Sequence, residues 1–435
     1  MRVAIIGGGT AGHMALAHLS KQWPNAQLVH LYDRDRPTIG VGEGTTPDFV
    51  NWLSTIGITF DDLVNHCNVT RKRGISFHGW GTRESDFEHE FLPRSQQAVH
   101  FSAARLPELL ASRSSFDHIN DSVESIDTSG DRSIITTHRG RQIDADLVID
   151  ARGFPCPSET EIHRFDWIPT NSALVTKSPF ADGETITKAI ARPLGWVFRI
   201  PLKNETSWGY VYNSQLTTRS GIERDFLAFL KETGVSGHNP FRQLDFPNFA
   251  RRRVFDQGVF HIGNCASFLE PLEATAISVI TLQLHLLSHW KTLQDQGLPL
   301  VLATDRINRI HEDTLIKISI FIAWHYAAGS QYDTPFWQTA KQRFQQVTQA
   351  PELGQIFRQF DELLAQSNSV SAAALAELNT PTDLERWGMN GPAQPNFGGY
   401  NKLSFSQLAA GLRETSPSIG PHFNLDPSAR PSRSV

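Results

Sequence analysis

Apolar and polar positions alternate along this chain with two different periods. Residues 2–6 (RVAII) read as a short β-branched strand. GGGTAGHMALAHLSK then turns at Gly7–Gly9 and continues at helical spacing through Leu16 and Leu19. Residues 28–32 (LVHLY) predict a second strand ending at Asp33, followed by a Gly- and Thr-rich loop from Arg36 to Pro47 and a helix over about 48–54. Segments 121–139 and 142–150 predict a hairpin, turning at Gly130-Asp131, and a further strand. Between about 170 and 215 the runs SALVTK, ETITKAIA, GWVFRIPL and SWGYVYNS predict a strand-rich region.

VFHIG at 259–263 predicts another strand, and EATAISVITLQLHLLSHW carries the apolar stripe of a core helix. From 301 to about 388 the pattern is helical, and the Gly-, Pro-, Asn- and Ser-rich tail after Trp387 is expected to be irregular. No internal repeat or long linker divides the chain. One composite unit over 1–435 is expected, with nucleotide-binding segments at about 1–50, 140–155 and 255–290. A strand-rich substrate-side region would occupy about 165–255 and a helical part about 300–435.

Composition narrows the class. Over 435 residues, 40% are hydrophobic and 20% charged, an ordinary globular profile. Against 45 Asp and Glu stand 40 Lys and Arg, a formal charge of −5 with no basic domain, which argues against nucleic acid as the partner. No apolar run reaches the roughly 18 residues of a membrane span. One basic residue followed by glycines makes a poor secretion signal. Cys67, Cys156 and Cys265 are too widely spaced for a disulfide framework or a zinc pattern, so a reducing cytoplasm is expected and no metal site.

Gly7, Gly9 and Gly12 satisfy G-x-G-x-x-G directly after a strand and at the opening of a helix. Such glycines allow a tight turn and let backbone N–H groups approach a pyrophosphate at the positive helix end. Thr10 and Ala11 belong to the same turn. Asp33 lies 21 residues beyond Gly12, where a carboxylate can accept from a ribose hydroxyl. Strand ends at Asp150–Gly153 and before Gly263 favour an extended FAD over NAD. The fold class expected is therefore α/β, with a Rossmann-like three-layer FAD core, a strand-rich second layer and a helical C-terminal cap.

The chain resembles the flavin-dependent halogenases of the tryptophan-halogenase type. The resemblance rests on GGGTAG, IGVGEGTTP (39–47, with Gly42 and Glu43), KRGISFHGW (72–80), FEHEF (87–91), GWVFRIPL (195–202), GYVY (209–212), FLEPLEATAI (268–277) and DTPFW (333–337), in the family's order. It implies that reduced FAD and oxygen oxidise chloride or bromide to hypohalous acid. The oxidant then passes through a tunnel to a lysine, which delivers electrophilic halogen to an electron-rich arene such as an indole. Family practice implies FADH2 from a separate flavin reductase, and a homodimer is the assembly considered.

By this resemblance Lys72 is the catalytic lysine and Glu273 the essential glutamate, with Glu270 structural. His89 and Phe91 match the aromatic pair that sandwiches substrate, and Trp196 matches an aromatic lining the passage beside the cofactor. Read without the family, Lys72 between Arg71 and Arg73 is a solvated basic turn, Glu273 a helix-capping carboxylate, and His89 part of an exposed acidic loop. Against the first reading, GISFHGW predicts a buried strand that carries Lys72 inward, where desolvation lowers an ammonium pKa.

The chain also departs from the family. Ala274, Thr275 and Ala276 replace S-T-G, whose amides hold the halide. Thr275 and Ala276 still offer helix-N-terminal N–H groups. Phe198 replaces a second tryptophan. Only Leu92–Ala98 separates the histidine motif from VHFSAARLPELL, which resembles the family's next helix. The short Leu92–Ala98 segment implies a more open pocket, while Ala274, Ala276 and Phe198 prompt one alternative, a flavin-dependent monooxygenase that does not halogenate; a third reading, from another class, is a flavin-binding protein without catalysis. A mere binder needs neither Lys72 nor Glu273.

Overall fold

The computed structural model describes every residue except 36–41, 82–85, 92–97, 131, 155–158, 180–182, 236, 368–395 and 416–435. The strand Arg2–Ile6 pairs in parallel with Gln27–Leu31 on one side and Leu147–Asp150 on the other. Around them a six-stranded sheet runs Phe255–Asp256, Val259–His261, Leu147–Asp150, Arg2–Ile6, Gln27–Leu31, Asp117–Ile119. Parallel strands buried on both faces read as unbroken apolar runs, and Val3, Ala4, Ile5 and Ile6 are all buried. The helix Thr10–Gln22 covers one face, together with Thr275–Asp295, while the three-stranded sheet Val123–Asp127, Ser133–Thr137, Gln142–Ala145 covers the other. The segment expected as one strand at 142–150 is thus two, Gln142–Ala145 in the small sheet and Leu147–Asp150 in the central one.

The second layer is a seven-stranded sheet: Arg242–Asp245, Ser172–Pro179, Glu205–Tyr212, Gly195–Pro201, Thr187–Arg192, Gly74–His78, Phe87–Glu90. It contains all four strands expected between about 170 and 215. A small antiparallel sheet, Gly42–Gly44, Ala98–Ser102, Thr70–Lys72, joins the two layers. Two expectations change here. The Gly-rich loop contributes the strand Gly42–Gly44, and VHFSAARLPELL is not one helix but the strand Ala98–Ser102 followed by the helix Leu106–Ser112. Val99 and Phe101 stand two residues apart, the period of a strand, and both are buried where that strand pairs with Gly42–Gly44.

Long helices close the molecule: Thr275–Asp295, Leu300–Ala328, Pro335–Thr348 and Gly354–Ser367. The irregular tail is corrected as well, because 402–415 is a helix. Phe405, Leu408, Ala409 and Leu412 face inward at helical spacing, a stripe masked by the Gly-, Asn- and Ser-rich residues around it. This helix rests on the strand Phe87–Glu90 through Gly411, where a Cβ would meet the Phe87 ring at 2.4 Å.

Gly411→Ala is therefore expected to destabilise the protein by about 1–3 kcal/mol, the cost of overpacking. Thermal unfolding against wild type checks this. An unchanged midpoint would show that the helix does not lean on that strand.

Candidate active site

Strand alternation places the first functional side chain. Along Thr70–Arg73, Arg71 and Arg73 are exposed while Lys72 is 2% exposed. On the neighbouring strand Glu88 and Glu90 flank a buried His89. Arg73 closes the outside by pairing with Glu88 at 2.7 Å and Glu90 at 3.1 Å. Gly74 makes this approach possible, since a Cβ there would stand 2.3 Å from the His89 carbonyl oxygen. The charged residues that suggest a solvated turn are the outer face of two strands, and their inner face presents Lys72 and His89.

The Lys72 Nζ donates to the Thr45 carbonyl at 3.0 Å and lies 5.1 Å from the centroid of the Phe91 ring. Thr45 is pinned in turn, its N–H and hydroxyl donating to the Val99 carbonyl at 2.9 and 3.2 Å. A Cβ on Gly44 would sit 3.1 Å from Nζ, so glycine leaves the ammonium its room. Burial lowers the Lys72 pKa to about 7, against the opposing pull of Glu273 and Asp48.

Glu273 is 1% exposed. Its Oε2 accepts from His89 Nδ1 at 3.0 Å and its Oε1 from His325 Nε2 at 2.9 Å. Burial opposes its charge, yet the two histidines hold the carboxyl down at about 2. His325 donates through Nδ1 to the Phe321 carbonyl at 2.9 Å, which fixes the ring. Sequence reasoning missed His325: it lies in a continuous apolar helix and shows its role only through a partner 52 residues away.

Glu270, read as structural, is fully buried, and desolvation pushes it up to about 7. Its Oε2 accepts from the Tyr326 hydroxyl at 2.6 Å and from Trp196 Nε1 at 3.3 Å. Trp196 also donates to the Tyr326 oxygen at 2.7 Å. Adjacent residues of one helix, His325 and Tyr326, thus clamp the two glutamates of E-P-L-E separately. Phe198 packs its ring on Gly209, where a Cβ would approach within 2.2 Å.

Between Glu273 and the helix Thr275–Asp295, Ala274 takes a left-handed conformation (φ 55°, ψ 40°), uncommon for a residue with a Cβ. No side chain caps this helix, no acid occupies its first turn, and the buried Thr275 hydroxyl has no partner. Thr275 and Ala276 line a small pocket with Gly263, Ser267 and Phe268. Uncapped N–H groups beside an unpartnered hydroxyl suit an anion.

The dinucleotide residues meet at the end of the central sheet. Gly7 has φ 116°, and a Cβ on Gly12 would collide with the Gly7 carbonyl oxygen at 2.0 Å. Gly9 precedes the uncapped helix Thr10–Gln22 and faces open space. Asp33 follows the strand Gln27–Leu31, half-buried. A left-handed glycine, an open cradle, free helix N–H groups and a terminal carboxylate fit the diphosphate and ribose of FAD.

Other expected cofactor residues play different parts. Gly263 passes Ala11 so closely that a Cβ would lie 2.6 Å from that methyl, and the Gly153 position is open. Gly42 packs on Ser207. Glu43 is half-buried, and desolvation raises its carboxyl to about 7. The Asp150 carboxylate is taken by Arg152, with both contacts at 2.9 Å. It also lies near His261 and Cys265, whose ligand atoms fall within 4.8 Å of it. Its pKa is driven below the usual range by those partners against burial, while burial keeps the Cys265 thiol protonated.

The sequence profile of one family, described as tryptophan halogenase, matches residues 2–108 and 92–383. The tryptophan 7-halogenase RebH of Lentzea aerocolonigenes is 28% identical over 422 residues, covering 78% of this chain and 79% of that protein. The tryptophan 6-halogenase ThaL of Streptomyces albogriseolus is 27% identical over 423 residues, covering 78% of each. Tar14, a tryptophan C-6 flavin-dependent halogenase from taromycin biosynthesis, shares the fold with a TM-score of 0.78 at 21% identity, over 95% of this chain and 91% of that one. BrvH, a flavin-dependent halogenase from Brevundimonas sp. BAL3, does so with a TM-score of 0.70 at 21% identity and 95% coverage of both. Among the described residues no helix is long and apolar enough to cross a membrane.

A lysine whose pKa falls on folding makes the folded protein bind fewer protons between about 7 and its ordinary value, so its penalty is largest below pH 7 and fades as pH rises. Lys72→Met should therefore raise the melting temperature at pH 6, with the gain shrinking toward pH 10. Thermal unfolding across that range checks this, and a Lys72→Met protein less stable than wild type at pH 6 would refute it.

Proposed function

Since the chain belongs to the tryptophan halogenase family, an enzyme family that uses FAD and halide, we propose that it halogenates a tryptophan-like, electron-rich arene through Lys72. What carries this reading is a buried ammonium and a buried carboxylate that share one electrostatic environment, each held by its own hydrogen bonds.

Gly7, Gly9, Thr10, Ala11, Gly12 and Asp33 would hold the adenosine diphosphate half of FAD, with Glu43, Gly153 and Gly263 along its course. Trp196 would line the passage from cofactor to lysine. Reduced FAD, when bound, supplies with oxygen the oxidising equivalents that turn halide into hypohalous acid. The Thr275 and Ala276 N–H groups and the Thr275 hydroxyl would hold the halide.

The overall reaction is Ar–H + HOX → Ar–X + H2O. An ammonium with a pKa of about 7 is a competent general acid near neutrality. Lys72 donates a proton to the departing hydroxide as the halogen–carbon bond forms, giving water. Glu273 accepts the ring proton. A carboxylate held at about 2 is a weak base, and a weak base is sufficient for the acidic proton of a halogenated ring cation. Return of that proton to Lys72 restores both groups.

The Phe91 ring lies against the ammonium, and the His89 ring stands beside it with centroids 6.0 Å apart and ring planes at 80°. Phe91 supplies a wall for the arene. His89 serves the carboxylate first, because its Nδ1 is committed to Glu273. FADH2 would arrive from a separate flavin reductase.

Lys72→Ala should reduce halogenated product by at least about 100-fold while oxidation of FADH2 continues. Product mass spectrometry with a reductase, an indole panel and either halide checks this. In wild type the rate should fall as pH rises through about 7, where the ammonium is lost. Full halogenation by the alanine variant would refute the lysine's role. An oxygenated product formed without halide would select a monooxygenase instead.

A further inference from the structure

Asp48 is fully buried and belongs to neither the family motifs nor the residues assigned above. It opens the helix Pro47–Thr55, three residues beyond the Thr45 carbonyl that receives Lys72. Its Oδ1 accepts from the Thr46 hydroxyl, and its Oδ2 accepts from the Ser278 hydroxyl at 2.8 Å. The Thr46 and Ser278 oxygens are themselves 2.6 Å apart. Ser278 stands one turn after Thr275 on the helix that begins beside Glu273. The triangle Thr46–Asp48–Ser278 therefore ties the loop holding the lysine to the helix whose free end suits an anion.

Buried charge needs a countercharge or it is neutralised. Lys72 is faced by Glu273 from the turn before its helix, by Asp48 from the helix Pro47–Thr55, and by His100 from the strand Ala98–Ser102. Glu273 already serves two histidines. His100 is kept well below its ordinary pKa by burial and by the nearby Lys72 and Arg199 charges, so it stays neutral and leaves the carboxylates as the countercharge. Arg71 and Arg73, on the lysine's own strand, point outward.

We propose that Asp48 is a positioning residue for halogen transfer: it fixes the Thr45 carbonyl beneath Lys72 through Thr46 and Ser278, and it supplies the second negative charge that keeps Lys72 an ammonium. This rests on the reading of Lys72 as the delivering residue. Asp48 acts through Lys72, and its two contributions, charge and brace, are separable.

Asp48→Asn removes the charge and keeps acceptor and shape. In protein labelled with 13C at the lysine ε-carbon, the Lys72 resonance, assigned by its loss in Lys72→Ala, should titrate roughly one pH unit lower in Asp48→Asn than in wild type. The alkaline fall in halogenation should move with it. Ser278→Ala keeps the charge and loosens the brace, so the Lys72 titration should stay in place while product per FADH2 oxidised drops about threefold or more.

A Lys72 titration unmoved by Asp48→Asn overturns the charge role, and wild-type coupling in Ser278→Ala overturns the brace. Should Asp48→Asn not fold, as judged by thermal unfolding and FAD binding, Ser278→Ala alone decides the brace and with it the proposal. Halogenation persisting in Lys72→Ala would instead sink the reading on which the proposal stands, leaving the effects of Asp48 on the titration to be read on their own.

Discussion

An ammonium group taken almost completely out of water dictates the arrangement around it. Lys72 keeps one fixed carbonyl, one aromatic face and two carboxylates within its electrostatic reach. Remove water from a lysine and its pKa falls; bring anions near and it climbs back. The balance here ends at about 7, the range in which a group both holds and gives up a proton under ordinary conditions. Two sheets are needed to achieve it. The small sheet carries the lysine, the seven-stranded sheet carries His89, and an outer layer of Arg73 with Glu88 and Glu90 lets both inner residues sit dry.

The same economy of position appears on the acidic side. Pro271 and Leu272 separate two buried glutamates that adjacent residues of a single helix engage, His325 for Glu273 and Tyr326 for Glu270. Ala274 then reverses the chain in a left-handed step, after which the helix Thr275–Asp295 begins without a cap. A residue with a Cβ at φ 55° stores a modest strain, roughly 1 kcal/mol or more, that the surrounding packing must hold. The turn sets the acid on one side and the anion-suited helix end immediately after it.

Much of this was legible in the sequence where one local rule dominated. The strand, glycine turn and helix of 2–22 follow from a change of hydrophobic period, and the structure has them at Arg2–Ile6 and Thr10–Gln22. The inward course of Lys72 follows from reading GISFHGW as buried strand. What escaped were relations over long separations. His89 meets Glu273 across 184 residues and Asp48 meets Ser278 across 230, and no spacing rule encodes either. The helix at 402–415 escaped for another reason: its apolar stripe is short and set among turn-forming residues, and tertiary packing against Phe87 and Phe321 stabilises it.

If Lys72 delivers halogen as proposed, its burial requires that the oxidant reach it through the protein's interior and not through solvent. Turnover in the presence of free methionine, which consumes hypohalous acid in bulk water, tests it directly. Halogenated product should form at an undiminished rate over a methionine excess that abolishes halogenation of the same arene by added hypohalous acid. Loss of product in parallel with that chemical control would show a freely diffusing oxidant and contradict the account.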